Sequence, residues 1–252
     1  MGKIRVYSNK NLRLESLLRI ENEDFHYIKN VMRLKKDEHF ILFNANNGEF
    51  ECNIIELNKK DLKVQILNQL RSPETENLPD TELIFPPIRH QRQDFLIEKA
   101  TELGADDIYP VYTDNCAVKK SVIDNKIEKW QKIMYEASKQ CERAYIPTCF
   151  DVTTIQNLYE NIQFDYVIAF CERIATQTFR EYYNEQKNIF KTNSKILVII
   201  GPEGGFSDKE FEYFKENSIP MLTLGDLILK AETAVITAIG NIIYEYNYSR
   251  KN

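Results

Sequence analysis

Hydrophobic and polar residues alternate along the first third of the chain with the period of β-strands. Runs at 38–44, 49–58 and 61–69 alternate in this way, and Asn- and Lys-rich turn sequences separate them. A short basic segment and a helical pattern at 24–32 precede these runs. The pattern predicts a small β-meander or barrel within residues 1–72.

From residue 81 onward, apolar strand-like runs alternate with helical stripes, which is typical of a mostly parallel sheet covered by helices. The predicted strands are 83–85, 108–112, 166–170, 196–200 and 222–224, and the predicted helices are 91–103, 127–141, 176–188, one from 208 and one from 234. A polar segment with two prolines, 71–80, reads as a linker. The sequence therefore predicts an α/β protein with two domains, 1–72 and 73–252.

The chain has 252 residues, of which 43% are hydrophobic, and this composition favours an ordinary water-soluble protein. No apolar run approaches the roughly 20 residues that span a bilayer, and the first ten residues lack the apolar stretch of a secretion signal. The five cysteines show no C-x-x-C spacing, which favours free thiols over structural zinc. We expect a cytoplasmic protein with no membrane partner and no metal.

The net charge of -5 is unevenly distributed along the chain. Residues 1–36 hold 9 Lys and Arg against 4 Asp and Glu, whereas residues 73–252 hold 20 against 28. Because contact with phosphates is the main source of affinity for RNA, the basic front is where RNA binding is expected. The alternative is a solvated face with a chance excess of lysine.

One segment near the C-terminus combines a strand, a glycine-rich loop and a helix start. The apolar run 196–200 leads into the loop GPEGG at 201–205, and Ser207 and Glu210 have the spacing of a capping box. A loop of this kind at a strand end presents main-chain groups to a ligand. It matches no phosphate-binding motif and carries an acidic residue, which disfavours a phosphate ligand. A tight strand-to-helix connection without a ligand is the alternative.

Five segments, in this order along the chain, resemble the RsmE family of SPOUT methyltransferases. They are 26–33, 98–105, 130–143, 201–210 and 224–234, the last two of which read GPEGGFSDKE and LGDLILKAETA. The chain departs from the family pattern at Leu227 and Lys230, where the family has arginine. The resemblance implies a C-terminal SPOUT-type parallel sheet with a trefoil knot, an N-terminal PUA-like β-barrel and a homodimer.

The resemblance also implies an activity, namely methylation of N3 of a specific uridine in 16S ribosomal RNA, as free RNA or within the small ribosomal subunit. The methyl donor would be S-adenosyl-L-methionine, bound at the carboxyl ends of neighbouring strands. Its expected contacts are Phe170, Glu172, Gly201, Pro202, Glu203, Gly204, Gly205, Leu224, Gly225, Leu227, Ile228, Leu229, Thr233 and Ala234. Two rivals are a non-catalytic RNA-binding or ribosome-assembly protein that kept the fold and an enzyme that binds a nucleotide phosphate at the glycine loop.

Arg143 and Glu203 are the expected catalytic residues. Arg143 matches the arginine that ends the family's helical element, and it would stabilise a deprotonated uracil ring or contact RNA phosphate from the partner subunit. The alternative for Arg143 is to complement a helix dipole. Glu203 is the acid/base or sulfonium-facing candidate, with loop stabilisation as its alternative. Contacts with RNA are expected at Arg5, His26, Arg33, Arg89 and Arg92, with a solvated surface as the alternative.

Overall fold

The computed structural model describes residues 4–72, 80–85, 88, 91–175, 177–186 and 194–249. The chain divides into two compact units. The first unit is Met1–Asn77 together with Lys139–Ile146, and the second is Leu78–Ser138 together with Pro147–Asn252. The predicted division at residue 72 had assigned the whole of Lys139–Ile146 to the second domain. Most of the predicted linker, at 73–79, lies outside the described residues.

A five-stranded sheet forms the described part of the first unit. Its strands are β1 (Arg5–Tyr7), β2 (Leu17–Glu21), β3 (His39–Asn44), β4 (Gly48–Leu57) and β5 (Asp61–Arg71), in the order β1-β3-β4-β5-β2. Strands β3, β4, β5 and β2 pair antiparallel, and β1 pairs parallel with β3. The predicted meander is confirmed, but β1 and β2 were missed because their short runs lie within the segment read as basic.

Alternation places one face of this sheet in a core, because successive side chains of a strand point to opposite faces. Phe40 and Leu42 of β3 are buried there together with Ile54 of β4. The helix α1 (Asn22–His26) continues as a π-helical turn at Tyr27–Val31, and its Ile28 is fully buried in the same core. The predicted helix at 24–32 is therefore present, with a widened last turn.

In the described part of the second unit, seven strands form a sheet in which every pairing is parallel. The strands are β6 (Asp80–Phe85), β7 (Asp107–Pro110), β8 (Thr148–Cys149), β9 (Tyr166–Phe170), β10 (Gln177–Thr178), β11 (Lys195–Ile200) and β12 (Met221–Thr223). Their order is β10-β12-β9-β11-β6-β7-β8. The predicted α/β class is thus confirmed, and the knot implied by the resemblance stays a prediction.

Helices connect these strands, and those predicted to begin at 91, 127 and 208 do begin there. The helices are α2 (Gln91–Leu103), α3 (Lys120–Asp124), α4 (Ile127–Gln140), α5 (Ile155–Asn161), α6 (Phe179–Glu185), α7 (Asp208–Glu216) and α8 (Ala231–Ser249). Helix α6 begins later than predicted, because a capping box of Thr178 and Glu181 fixes its start. Trp130 of α4 is 1% exposed and belongs to the core.

The register of the sheet places three strand ends side by side. Phe170 at the end of β9 pairs with Ile200 at the end of β11 and with Leu222 in β12. Because all three strands are parallel, the loops that follow them leave the same edge of the sheet. This arrangement brings together the predicted loops at 170–172, 201–205 and 224–229.

Candidate functional site

A cavity of about 540 Å³ opens at the carboxyl ends of β9 and β11. Three chain segments line it, at 170–174, 200–206 and 228–231, together with Arg92, Phe211 and Ala234. Ligand sites in open parallel sheets lie at such strand ends. The volume is within the range of about 300–1,000 Å³ that is usual for small-molecule sites.

Helix α7 and a distant loop hold the glycine loop in place. Ser207 Oγ accepts a hydrogen bond from the Glu210 amide, and the Glu210 carboxylate accepts one from the Ser207 amide, which completes the predicted capping box. Ser207 Oγ also donates to Asp114 Oδ2 at 2.6 Å. The side-chain amide of Asn115 donates to the Gly205 backbone carbonyl at 3.0 Å. The loop is therefore fixed before any ligand binds.

Replacement of Ser207 by alanine will lower the free energy of unfolding by about 1 kcal/mol, which is the usual effect of losing a helix N-cap. The same change removes the bond to Asp114, so ligand affinity at the cavity will fall as the loop loosens. Thermal unfolding and titration calorimetry measure the two effects. The control is Ser218, which is exposed just beyond the other end of α7 and takes no part in the N-cap, so Ser218→Ala should change neither quantity.

Neighbouring protein atoms lie close to two glycines of the loop. A Cβ on Gly201 would lie 2.9 Å from Cε2 of Phe206, whose ring is buried against Phe214. A Cβ on Gly204 would lie 3.1 Å from the Cβ of Asn115. The sequence had predicted that glycine here allows a ligand to approach. The structure adds that Phe206 disfavours a side chain at 201 and that Asn115 would have to shift slightly for one at 204.

Charged side chains face one another across the cavity mouth. Arg92 Nη1 lies 3.8 Å from Glu203 Oε1 and 3.7 Å from Glu232 Oε1. These separations give electrostatic attraction without a hydrogen bond. The Arg92 side chain is 52% exposed, whereas that of Glu232 is 14% exposed. Arg92, predicted as an RNA contact, thus lies between a residue of the glycine loop and a residue of the first turn of α8.

Burial raises the pKa of two groups in the loop after β9. The pKa of the Glu172 carboxyl is above its ordinary value, because desolvation disfavours its charge more than a hydrogen bond with the Leu229 backbone favours it. Burial raises the pKa of the Cys171 thiol to about 12. Cys171 is therefore a neutral thiol at neutral pH, and Glu172 is the titratable group of this loop.

Most of the residues predicted to contact the methyl donor line this cavity. Those that do so are Phe170, Glu172, Gly201, Pro202, Glu203, Gly204, Gly205, Ile228, Leu229 and Ala234. Four do not: Leu224 packs against the core, and Gly225, Leu227 and Thr233 are exposed. Leu227, at a position where the family has arginine, is 75% exposed.

Several lining residues were missed by the sequence, including Arg173, Ile174, Phe206 and Lys230. Arg173 and Ile174 directly follow Glu172, where the predicted contacts of this loop ended. Extending the predicted loop by two residues would have included them. Lys230 was set aside because it replaces an arginine of the family pattern. It lies in the cavity wall with its charge retained.

The predicted RNA contacts fall into different environments. His26 and Arg33 are exposed on the first unit, and Arg89 lies outside the described residues. Arg5 is only 7% exposed, and its guanidinium pairs with the Glu49 carboxylate. Its contact with RNA stays a prediction. Arg143, the predicted catalytic arginine, is 5% exposed in the first unit, with its guanidinium 5.8 Å from the Tyr145 ring.

Neither a metal site nor a membrane-spanning helix is found among the described residues. No group of three or more His, Cys, Asp or Glu side chains has the arrangement of a metal site. Within the same part of the chain, no helix combines the length and the apolar character needed to cross a bilayer.

Comparison with known proteins gives consistent matches over nearly the whole chain. Residues 75–243 match the RNA methyltransferase domain family, and residues 20–67 match the RNA methyltransferase PUA domain family. The ribosomal RNA small subunit methyltransferase E of Rickettsia conorii is 32% identical over 245 residues, which are 94% of each chain. The corresponding protein of Bacillus subtilis is 28% identical and covers 90% of this chain and 89% of its own.

Solved structures extend the likeness to three dimensions. A Legionella pneumophila structure with the bound cofactor SAM is 27% identical, with a TM-score of 0.83, and covers 97% of this chain and 98% of its own. A ribosomal RNA small subunit methyltransferase E from Neisseria gonorrhoeae, bound to S-adenosyl methionine, is 23% identical with a TM-score of 0.80, and covers 97% of this chain and 98% of its own. The second likeness shows a shared fold.

Proposed function

Because this chain belongs to the ribosomal RNA small subunit methyltransferase E family, we propose that it methylates N3 of a uridine in 16S ribosomal RNA with S-adenosyl-L-methionine as the donor. The observation that carries the proposal is the cavity at the carboxyl ends of β9 and β11. It is walled by the glycine loop that the sequence singled out. The substrate is 16S ribosomal RNA or the small subunit, and the location is the cytoplasm.

The residues of the cavity suit this donor. Its sulfur carries a positive charge, and the carboxylates of Glu172 and Glu203 lie in the cavity wall. Ile228 and Leu229 supply apolar surface for the adenine ring, and the loop at 201–205 offers main-chain groups for polar edges. The rigid support from Asn115 fits a site in which the donor must be held in one orientation.

Methyl transfer is an in-line displacement, so the protein has to align the uracil nitrogen and accept one proton. The donor supplies a methyl carbon made electrophilic by the attached sulfonium. Holding two reactants in line contributes as much as about 7–11 kcal/mol to the barrier reduction in well-oriented systems. Glu203, whose side chain is 40% exposed at the cavity mouth, is the proposed proton acceptor.

Arg143 is proposed to stabilise the deprotonated uracil ring through its guanidinium, as the resemblance implies. In the single chain this side chain is buried, so its contact with RNA depends on exposure of the segment when substrate or a second subunit binds. The homodimer remains part of the proposal. The exposed side chains of His26, Arg33 and Arg92 are proposed to contact RNA phosphates.

Nucleoside mass spectrometry of ribosomal RNA tests the activity. We expect RNA from a deletion strain to lack N3-methyluridine and to regain it when the purified protein and donor are added. Titration calorimetry with the donor alone separates binding from turnover. Donor binding without methylation of any RNA or subunit would indicate a non-catalytic RNA-binding protein, and no donor binding would refute the cavity assignment.

Affinity for the donor will fall as the pH is lowered, and the fall will begin at a higher pH than for an ordinary carboxyl. The pKa of Glu172 is raised by burial above its ordinary value of 4.5, so the group gains its proton and loses its charge early in an acid titration. Calorimetric titrations from pH 8 to pH 5 measure the effect. Glu172→Gln should give weaker binding and a flatter profile, and an unchanged profile would remove Glu172 from donor binding.

A further inference from the structure

The segment Lys139–Ile146 begins with the last two residues of helix α4 and belongs to the first unit. Three of its backbone carbonyls accept hydrogen bonds from arginines of the barrel strands. Arg5 Nη1 donates to the Lys139 carbonyl at 3.1 Å, and Arg5 Nη2 donates to the Arg143 carbonyl at 3.3 Å. Arg71 Nη1 donates to the Glu142 carbonyl at 2.8 Å.

One carboxylate, that of Glu49, forms ion pairs with both arginines. Glu49 Oε1 pairs with Arg5 Nη2 and lies 3.0 Å from Arg71 Nη1. The side chains of Arg5 and Glu49 are 5% and 6% exposed, and that of Arg71 is 31% exposed. Ionic hydrogen bonds that are shielded from water are stronger and more directional than exposed ones. We call Arg5, Glu49 and Arg71 the clamp.

Two ring contacts reinforce the same attachment. The Arg5 guanidinium lies 4.2 Å above the Phe43 ring, and the Lys139 ammonium lies 4.2 Å from the Tyr27 ring. Glu142 adopts a left-handed backbone conformation, with φ of 63°. A left-handed residue is common directly after a helix, where it ends the last turn, and the carbonyl of Glu142 in that turn accepts the bond from Arg71.

We propose that the clamp positions the segment Lys139–Ile146 for methyl transfer, so that Arg5, Glu49 and Arg71 are positioning residues of the enzyme. This inference rests on the proposed function, because the segment carries Arg143. None of the three side chains lines the cavity at the ends of β9 and β11, which the described residues of the second unit form. The clamp therefore acts on the RNA step and leaves donor binding unchanged.

The test compares two methionine substitutions on strand β5. Arg71→Met removes the bond to the Glu142 carbonyl and leaves the pair of Arg5 and Glu49 intact. Lys63→Met removes the same charge from the same strand, where the Lys63 ammonium pairs with the exposed Glu56 carboxylate at 2.6 Å. Arg71→Lys is the rescue variant, since lysine keeps the charge and one donor.

We expect Arg71→Met to lower kcat for RNA methylation by about tenfold or more, since small misplacements of catalytic groups have large effects on rate. The affinity for the methyl donor should stay within about twofold, which also shows that the second unit is folded. Amide hydrogen exchange at 139–146 should become faster, Arg71→Lys should recover part of the rate, and Lys63→Met should behave as the wild type.

Equal kcat in Arg71→Met and Lys63→Met would overturn the inference, as would faster exchange at 139–146 without any loss of rate. If Arg71→Met fails to fold, Arg71→Lys alone decides the matter. The inference then requires that Arg71→Lys lowers kcat and also makes amide hydrogen exchange at 139–146 faster. Failure of the proposed function looks different, because the wild type itself would then methylate no RNA.

Discussion

Replacement of Glu49 by glutamine will lower the free energy of unfolding by about 3–5 kcal/mol, the usual effect of removing one partner of a buried ion pair. Glu49 is 6% exposed and faces two guanidinium groups. Without its charge, Arg5 remains buried with no compensating carboxylate, and desolvation of that cation is no longer offset. Urea unfolding followed by circular dichroism measures the change.

Glu56 provides the matched control, since it also lies on β4 and also pairs with a cation of β5. The Glu56 and Lys63 side chains are 47% and 46% exposed, so water and salt already screen their interaction. Glu56→Gln should leave the unfolding midpoint unchanged. Similar midpoints for the two glutamine variants would mean that the clamp does not stabilise the first unit.

Replacement of Gly201 by alanine will weaken donor binding by about tenfold or more, equivalent to at least about 1.4 kcal/mol. The new Cβ would lie 2.9 Å from the Phe206 ring, which contacts Phe214 at a centroid distance of 5.0 Å. The ring cannot yield without disturbing the aromatic cluster, so the loop itself has to shift. We expect a loss of stability of about 1–3 kcal/mol, as for other overpacked sites. Calorimetry and thermal unfolding measure the two effects.

Gly240 of helix α8 is the control for the same chemical change. A Cβ there has no atom within 4 Å, and the residue is in a helix interior. Alanine should therefore stabilise the protein by about 0.4–1 kcal/mol, because it reduces the freedom of the unfolded chain. Equal effects at positions 201 and 240 would show that the contact with Phe206 is unimportant.

The sequence predicted long elements with a clear period and missed short ones. Helix Gln91–Leu103 and strand Tyr166–Phe170 have the predicted bounds, since apolar spacing and a terminal glycine or polar turn define their ends. Strand Arg5–Tyr7 has only three residues, too few to show alternation. Its place in the sheet depends on pairing with Ile41–Phe43, which are remote in sequence.

The candidate site was predicted where it depends on local chemistry and missed where it depends on contacts between distant residues. The glycine loop and its capping box follow from residues 201–210 alone. The support of that loop by Asn115 and the approach of Arg92 to Glu232 join positions that are about 90 and 140 residues apart along the chain, so no local pattern reveals them. Arg5 shows the same limit, because its basic character indicated a surface residue.

The discontinuous make-up of the first unit limits how the protein can be dissected. A fragment that stops at Asn77 would lack the peptide carbonyls that Arg5 and Arg71 bind, and those donors would lose their acceptors. A fragment that starts at Leu78 would keep Lys139–Ile146 but deprive it of the strands against which it folds. Exchange of either half between homologues will therefore keep this attachment only if the donor arginines and the carbonyls that they bind are both retained.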